Sequence, residues 1–176
     1  MGDERTLLSE EGVSEKVREL AAEILKRCGD DVPAFVGVYT RGVTLAKRVK
    51  EALKNEWPDI PLGTLDISLY RDDLDDLESA PKLESSEIPF GLEGNRVILF
   101  DEVMFTGRTT RAALDVLMDY GRPSRVELAV LVDRGNRELP LQPDYVGLKV
   151  ETKAEDYVAV QFAEEDEREG VFLVEN

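Results

Sequence analysis

Apolar residues recur at helical spacing in three segments of the chain. This spacing places the apolar side chains on one face, so we predict three amphipathic helices that pack on a common core. The first ends before the turn residues 29–31, and the third covers residues 109–120 and is terminated by Gly121 and Pro123. The residues expected to face the core are Val13, Val17, Leu20, Ala21, Ile24 and Leu25 in the first helix, Leu45, Ala46, Val49, Ala52 and Leu53 in the second, and Ala112, Ala113, Leu114, Val116 and Leu117 in the third.

Short apolar runs bounded by turn residues predict buried strands. They cover residues 34–39, 65–70, 97–100 and 126–132, with shorter runs at 145–150, 157–162 and 171–174. Because strands alternate with helices, the sequence predicts an α/β fold with a central, mostly parallel sheet flanked by helices. Ligands of such sheets bind at the carboxyl ends of the strands, so the residues that follow each strand are the candidates for function.

The composition suits one packed domain, because 42% of the 176 residues are hydrophobic. No apolar run approaches the roughly 20 residues that cross a bilayer, and the acidic N-terminal segment lacks the character of a secretory leader. Cys28 is the single cysteine, so an internal disulfide is impossible and we expect a reducing, cytoplasmic location.

The chain contains no histidine, which restricts its chemistry. Ser-His-Asp and Cys-His catalysis and histidine-bound zinc are excluded, and one cysteine cannot build a structural zinc site. A metal would be a hard, oxygen-bound ion such as Mg²⁺, held mainly by substrate, so no direct protein ligands are predicted. The net charge of −16 opposes nonspecific binding to nucleic acid. The acidic clusters at 72–78 and 164–169 lack calcium-loop spacing and are interpreted as solvated faces.

The strongest candidate for function follows the strand at 97–100, where residues 101–110 read DEVMFTGRTT. The glycine lets the backbone approach an anion, the N–H groups that open the next helix can bind phosphate, and the threonines add hydroxyl donors. The two carboxylates upstream suit the 2′- and 3′-hydroxyls of a ribose whose 5-phosphate lies in the loop. A plain helix N-cap is the alternative interpretation. The other common glycine-rich phosphate loops are absent from the sequence.

A second loop, Thr40-Arg41-Gly42, follows the strand at 34–39 and lies at the same edge of the predicted sheet. A guanidinium and backbone N–H groups in this position suit a pyrophosphate. Arg-Gly after a strand is common, so this loop alone indicates little. Two such loops at one sheet edge strengthen both assignments.

These motifs resemble the site for 5-phosphoribosyl 1-diphosphate (PRPP) in type I phosphoribosyltransferases and, more narrowly, the PyrR family. The matching segments run in consistent order from about Val13 to Tyr145 and include YTRGVTLAKR, LDISLYRDDL, DEVMFTGRTTRAALDVLMDYGRPSRVELAVLVDRG and RELP. PyrR proteins are uracil phosphoribosyltransferases that also attenuate pyrimidine operons by binding mRNA. The resemblance implies a single domain over residues 1–176 with the type I phosphoribosyltransferase fold, including a small hood formed by N- and C-terminal segments. It also implies PRPP, uracil and UMP as ligands, substrate-bound Mg²⁺, pyrimidine-operon leader mRNA as a partner, and a dimer or tetramer.

By position, the resemblance implies roles for individual residues. PRPP or nucleotide binding falls to Thr40, Arg41, Gly42, Asp101, Glu102, Val103, Met104, Phe105, Thr106, Gly107, Arg108, Thr109 and Thr110. The catalytic set is Arg41 and Arg71, which stabilise the leaving group, with Asp101 and Glu102 on the ribose. The segment 69–73 begins a loop that closes over PRPP. The base pocket is bordered by Asp133, Arg134 and Val158.

Departures from the family pattern affect the sugar site and RNA binding. Glu102 replaces the second aspartate of the usual pair, Asn136 replaces a histidine, Leu148 replaces a lysine and Glu151 replaces a proline. The candidates that remain for RNA are Asn136, Arg137, Lys149 and Lys153. Two alternatives therefore stay open. One is an RNA-binding attenuator with vestigial catalysis, and the other is a phosphoribosyltransferase that acts on another base.

Overall fold

The computed structural model of the protein describes residues 2–72 and 85–176. The chain runs through β1 (Asp3–Leu8), α1 (Glu10–Cys28), β2 (Ala34–Val38), α2 (Arg41–Ala52), β3 (Leu62–Leu65), β4 (Arg96–Met104), α3 (Arg108–Met118), β5 (Arg125–Asp133), β6 (Tyr145–Lys149), β7 (Tyr157–Gln161) and β8 (Gly170–Glu175). A single 3₁₀ turn at Ser68–Tyr70 follows β3. The three helices and most of the strands thus fall where the hydrophobic pattern predicts them.

Five parallel strands form the central sheet in the order β3-β2-β4-β5-β6. Alternate side chains of a strand point to opposite faces of the sheet. Phe35 and Ile98 accordingly pack with α1 and α2, whereas Val36 and Leu99 pack with α3 on the other side. Both faces are covered, which explains the unbroken apolar runs of β2 and β4. The predicted α/β class is confirmed, and the order of the strands places the carboxyl ends of β2 and β4 side by side.

A second, antiparallel sheet of β1, β8 and β7 joins the two ends of the described chain. Its inward side chains, Val158, Val171 and Leu173, are buried and belong to the same core as α1. β7 also contacts β4, so the small sheet borders the carboxyl edge of the central sheet. The sequence pattern predicts no strand at β1, because four of its six residues are exposed and its order comes from pairing with β8.

The prediction of a strand over residues 65–70 is wrong. β3 ends at Leu65, and the chain then enters the 3₁₀ turn because the Asp66 carboxylate accepts hydrogen bonds from the N–H and hydroxyl groups of Ser68 at 2.9 and 2.6 Å. Ala52, expected on the inner face of α2, is exposed at the end of that helix. Most of the closing loop expected after residue 69 lies at 73–84, outside the described residues. Within the described ranges, no helix has the length and apolar character needed to cross a membrane.

Candidate active site

Three adjoining clefts open at the carboxyl edge of the central sheet. The central cleft, of about 340 Å³, lies between the ends of β2 and β4 and contains Asp101 and Glu102. Glu102 and Val103 also border the β7 cleft, of about 360 Å³, which lies beneath β7. Arg71 and Thr109 connect the central cleft with the α3 cleft, of about 290 Å³, at the start of α3. The two loops singled out from the sequence therefore meet in one continuous depression.

The loop between β4 and α3 turns at Gly107, whose φ of 95° lies in the left-handed region that favours glycine. Gly107 has no side chain to cap α3, and the N–H of Arg108 donates to the Thr106 hydroxyl at 3.3 Å. In the described part of the chain, the N–H groups of Thr109 and Thr110 in the first helical turn therefore remain available to a ligand. Thr106 and Thr109 line the α3 cleft beside this turn. Thr110 and Met104 are instead buried in the core. The loop thus presents backbone N–H groups and two hydroxyl groups to one cleft.

Ion pairs tie the start of α3 to the segment after β3. Arg108 binds the carboxylates of Asp72 and Glu138 at 2.7 and 2.8 Å. Arg111 contacts the same Asp72 carboxylate at 2.5 Å. The Arg108 and Arg111 guanidinium groups hold the pKa of Asp72 below its ordinary value. These pairs keep Arg71, the neighbour of Asp72, at the border between the central and α3 clefts.

The two adjacent carboxylates of β4 occupy different surroundings. Asp101 is buried, and its carboxylate accepts a hydrogen bond from the N–H of Glu102 at 2.9 Å. Burial, together with the negative charge of Glu102, raises the pKa of Asp101 well above its ordinary value. Glu102 is half-buried and borders both the central and β7 clefts. Glu102 is therefore the carboxylate placed to meet a ligand that spans the two clefts.

The loop Thr40-Arg41-Gly42 packs directly on the end of β4. A Cβ atom at Gly42 would lie 2.4 Å from the carbonyl oxygen of Phe100, so only glycine allows α2 to approach the strand this closely. The Tyr39–Thr40 peptide bond is cis, and both residues line the central cleft. Arg41 extends to the border of the β7 cleft. The predicted pyrophosphate loop and the acidic pair thus lie against each other.

The acidic segment 164–169 forms ion pairs and hydrogen bonds with α2, and we call this set of contacts the acidic clasp. Arg41 donates to both carboxylate oxygens of Asp166 at 3.1 and 2.5 Å. Arg48 contacts the carboxylates of Glu164 and Glu169 at 2.6 and 2.7 Å. The Thr44 hydroxyl donates to Glu165. The interpretation of this segment as a solvated face agrees with the exposure of Glu164, Glu165 and Glu167. It misses Asp166 and Glu169, which are partly buried and paired with the arginine side chains of α2.

The β7 cleft combines a stacked cation with apolar walls. The buried guanidinium of Arg134 lies 3.9 Å from the centre of the Phe105 ring. It donates to the Thr152 hydroxyl at 3.1 Å and to the Lys153 carbonyl at 2.8 Å. Burial lowers the pKa of Arg134 from its ordinary value. Val158, expected at the base pocket, forms another wall of this cleft.

Asp133 is also expected at the base pocket, but its side chain points into the tight turn after β5. Its carboxylate accepts a hydrogen bond from the N–H of Gly135 at 3.0 Å and pairs with Arg137 at 2.8 Å. Of the three base-pocket residues named from the sequence, the structure therefore brings Arg134 and Val158 to the cleft.

Sequence reasoning missed several side chains that line the clefts. Tyr157 and Gln161, at the two ends of β7, border the β7 cleft, and Asp66 borders the central cleft. Tyr157 is 61% exposed, which is unusual for a large aromatic side chain on a strand. An aromatic residue at the start of the predicted strand 157–162 was the only signal in the sequence, since the approach of β7 to β4 is a tertiary feature.

The four candidates for RNA contact divide into two pairs. Asn136, with a φ of 61°, donates to the Thr152 carbonyl at 3.0 Å. Arg137 is mostly buried and donates to two backbone carbonyl groups at 2.7 and 2.9 Å, so it holds the turn after β5 together. Lys149 and Lys153 are exposed. Only the two lysines present their charges to solvent.

The carboxylates of the central cleft can contribute to metal binding but do not form a complete site. In the described part of the chain, acidic and cysteine side chains do not assemble into a group of three able to hold an ion. Asp101 and Glu102 nevertheless supply the oxygen ligands that Mg²⁺ prefers. This donor set fits a magnesium ion whose remaining ligands come from a bound phosphate compound and water.

Comparisons with known proteins agree with this geometry. The phosphoribosyl transferase domain family matches residues 5–167. Proteins named "Bifunctional protein PyrR" are similar over most of the chain. That of Pelotomaculum thermopropionicum is 44% identical over 96% of this chain and 94% of its own, and that of Alkaliphilus metalliredigens is 46% identical over 98% and 96%.

Solved structures share the fold at low identity. A hypoxanthine-guanine phosphoribosyltransferase of Bacillus anthracis superposes with a TM-score of 0.73 at 21% identity, covering 99% of both chains. The hypoxanthine phosphoribosyltransferase of Trypanosoma cruzi gives a TM-score of 0.71 at 17% identity, covering 97% of this chain and 96% of its own. At these identities the likeness extends to the fold alone.

Proposed function

The chain belongs to the phosphoribosyl transferase domain family and, within it, to the PyrR proteins, and on that basis we propose that it transfers the phosphoribosyl group of PRPP to uracil, giving UMP and diphosphate. The observation that carries this proposal is that the loops Thr40–Gly42 and Thr106–Thr110, both predicted to bind anions, border adjoining clefts that also contain Asp101 and Glu102. A ligand with phosphate groups at both ends of a ribose matches that arrangement.

Each cleft takes one part of the substrates. The 5-phosphate binds in the α3 cleft to the first N–H groups of α3 and to the hydroxyl groups of Thr106 and Thr109. The ribose lies over the central cleft, where Glu102 accepts hydrogen bonds from its hydroxyl groups. Pyrophosphate binds at Thr40 and Arg71 of the central cleft and at Arg41, which borders the adjoining β7 cleft. The base enters the β7 cleft between Phe105 and Val158.

Charge separation dominates the reaction. The bond between the anomeric carbon and a pyrophosphate oxygen breaks with its electron pair going to the leaving group, while N1 of uracil forms the new bond and loses its proton to water. Positive charge that develops on the ribose ring is stabilised by Glu102 and the buried Asp101. The growing negative charge of pyrophosphate is stabilised by Arg41 and Arg71. The protein contributes mainly position and electrostatics.

Magnesium would bind with PRPP in the central cleft, where Glu102 can complete its ligand set and where the ion would neutralise charge on the departing pyrophosphate. We further propose that the sheet of β1, β7 and β8 acts as the hood over the base, that the protein works in the cytoplasm, and that it forms a dimer or tetramer. The position of β7 at the border of the β7 cleft supports the hood assignment.

The product formed from competing bases tests this function. Equal concentrations of uracil, hypoxanthine and guanine are incubated with PRPP and Mg²⁺, and the nucleotides are separated by chromatography. We expect UMP as the main product. Formation of IMP or GMP without UMP would replace uracil by a purine and support the alternative of another base. Absence of every nucleotide, with PRPP still bound, would favour a regulator with vestigial catalysis.

We also propose a second function, UMP-responsive binding of pyrimidine-operon leader mRNA, since the relatives are named bifunctional proteins. Arg134 supports a link between the two functions, because it borders the β7 cleft and also donates to the Lys153 carbonyl at 2.8 Å. A base in the cleft would contact the same guanidinium that orders the loop carrying Lys153. Of the four residues predicted to contact RNA, Lys149 and Lys153 are the exposed cations.

A further inference from the structure

Arg41 is held by a carboxylate from the far end of the chain. Its Nε and Nη2 atoms donate to the two carboxylate oxygens of Asp166, at 3.1 and 2.5 Å, in the bidentate geometry that fixes a guanidinium plane. The partnership raises the pKa of Arg41 and lowers that of Asp166. The same guanidinium borders the β7 cleft beside Glu102. Asp166 therefore sets the direction in which Arg41 enters the site.

Asp166 is itself fixed from behind. Its carboxylate accepts a third hydrogen bond from the N–H of Phe162 at 2.9 Å, and only 11% of the side chain is exposed. Phe162 is fully buried, and Arg48 lies over its ring at 4.7 Å while binding Glu164 and Glu169. The segment that carries Asp166 is thus anchored to α2 independently of Arg41.

The pairing uses only one edge of the Arg41 guanidinium. Among the described residues, the hydrogen bonds of Arg41 run through Nε and Nη2, so the two N–H groups of Nη1 remain for a ligand. The other charges that act on Arg41 are the carboxylates of Glu102 and Glu165. The edge of the guanidinium that carries Nε is occupied by Asp166, so Nη1 is the group that we expect an incoming anion to meet.

We propose that Asp166 is a positioning residue for phosphoribosyl transfer, which holds Arg41 so that its Nη1 group meets the pyrophosphate of PRPP. The inference rests on the proposed donor, PRPP, and not on the identity of the base. A pre-oriented guanidinium loses little rotamer freedom when the anion binds, so removal of its holder weakens binding of the pyrophosphate part alone.

A pair of ligands isolates that part. PRPP and ribose 5-phosphate share the sugar and the 5-phosphate, and they differ only in the pyrophosphate group. The ratio of their dissociation constants, measured by calorimetry with Mg²⁺, reports the contribution of pyrophosphate and requires no turnover. For Asp166→Asn we expect PRPP to bind about tenfold more weakly, as when an orienting partner is lost at comparable sites, with ribose 5-phosphate changed less than about twofold.

Two further variants complete the test. Glu164→Gln removes a carboxylate from the same segment but leaves Arg48 bound to Glu169, and it should retain the wild-type ratio. Asp166→Glu should restore part of the lost ratio, because a carboxylate returns to the same place.

Three results for Asp166→Asn would overturn the inference. Dissociation constants unchanged for both ligands would show that Arg41 needs no holder, and a tighter PRPP complex would show that Asp166 competes with pyrophosphate. Equal weakening of both ligands would show that Asp166 merely maintains the loop. Wild-type protein that binds PRPP with the expected preference but makes no UMP would refute the proposed acceptor, and the inference would stand. Wild-type protein that binds PRPP no tighter than ribose 5-phosphate would overturn both.

Discussion

Asp101 and Glu102 are adjacent carboxylates of β4, but their positions along the strand give them different surroundings. Consecutive residues of a strand point in opposite directions, so Asp101 is buried and borders the central cleft alone, while Glu102 is half-buried and borders two clefts. The buried carboxyl group is costly in its charged form, and Glu102 beside it adds repulsion. Such a group destabilises the fold, but it supplies the site with a carboxylate that can stabilise positive charge on the ribose.

Asp101→Asn should therefore increase stability and reduce activity. Folding raises the pKa of Asp101, so the contribution of this residue is most favourable in acid and is lost as the pH rises through the folded-state value. The asparagine variant has no charge to lose, and it should be more stable than wild type by about 1 kcal/mol at neutral pH, with the difference shrinking in acid. Urea denaturation between pH 4 and pH 8 measures this. A variant less stable than wild type at neutral pH would contradict the assigned surroundings of Asp101.

The residues of the site could be named from the sequence wherever they follow a strand. Thr40, Arg41 and Glu102 are examples, because the carboxyl ends of parallel strands must share an edge. Which side chains turn inward could not be derived, since the spacing alone does not distinguish buried Thr110 from cleft-lining Thr109. The ion-pair partner of Arg41 could not be predicted either, because Asp166 lies 125 residues away in the sequence.

Among the elements, the acidic clasp contributes more to stability than its sequence suggested. Glu169, whose side chain is only 6% exposed, depends on Arg48 for its charge balance, whereas Glu164 is 49% exposed and contributes less. Arg48 holds the pKa of both carboxyl groups below the ordinary value. The clasp thus fastens the segment between β7 and β8 to α2.

Arg48→Ala should lower the free energy of unfolding by about 2 kcal/mol, because it leaves a nearly buried carboxylate without its partner. The pKa of Glu164 and Glu169 is depressed by folding, so their stabilising effect is present above pH 4.5, the ordinary value, and fades as the pH falls through the folded-state values. Chemical denaturation at pH 7 and pH 3 tests both points. As a control, Lys16→Ala removes an exposed helical pair with Glu19 and should cost no more than about 0.5 kcal/mol. Equal losses in the two variants would mean that the clasp is an ordinary surface ion pair.

Elements with a continuous hydrophobic pattern could be predicted from sequence, and those stabilised by partners could not. Apolar runs in the sequence predict β2, β4 and β5, because both faces of the central sheet are covered. β1 does not, because it is a mostly exposed edge strand ordered by β8. The 3₁₀ turn after β3 depends on a local Asp66–Ser68 hydrogen bond that competes with strand geometry.

At the scale of the whole molecule, the net charge of −16 limits how RNA can bind. Lys149 and Lys153 are the exposed cations among the four candidates, whereas Arg137 is held by Asp133 and by backbone carbonyl groups. Specific binding would then rely on hydrogen bonds and base contacts more than on phosphate neutralisation.

The salt dependence of RNA binding should be shallow. Two lysine–phosphate contacts with single-stranded RNA predict a slope of about −1.4 for log K against log salt concentration. Fluorescence anisotropy with a labelled pyrimidine-operon leader, with UMP present, between 50 and 300 mM KCl provides the measurement. The double variant Lys149→Gln, Lys153→Gln should flatten the slope towards zero. A wild-type slope steeper than about −4 would require a basic surface beyond these residues.

Family and fold were accessible from sequence because the motifs and the alternation of strands and helices extend over most of the chain. The resemblance implied a hood formed by N- and C-terminal segments. That these segments pair in one small sheet, and that this sheet contacts β4, emerges only in three dimensions. On the proposed function, PRPP is held and activated at the sheet edge where both loops meet.

Uracil-dependent UMP formation by wild type and Arg41→Ala, at saturating PRPP and Mg²⁺, tests this claim most directly. Arg41 is the cation assigned to the leaving group, and its loss should slow turnover by about a hundredfold. Circular dichroism should show a folded variant. The melting temperature should fall modestly, because Asp166 loses its ion pair with Arg41 but keeps its hydrogen bond from the N–H of Phe162. Turnover of the folded variant at the wild-type rate would contradict the placement of pyrophosphate at this loop.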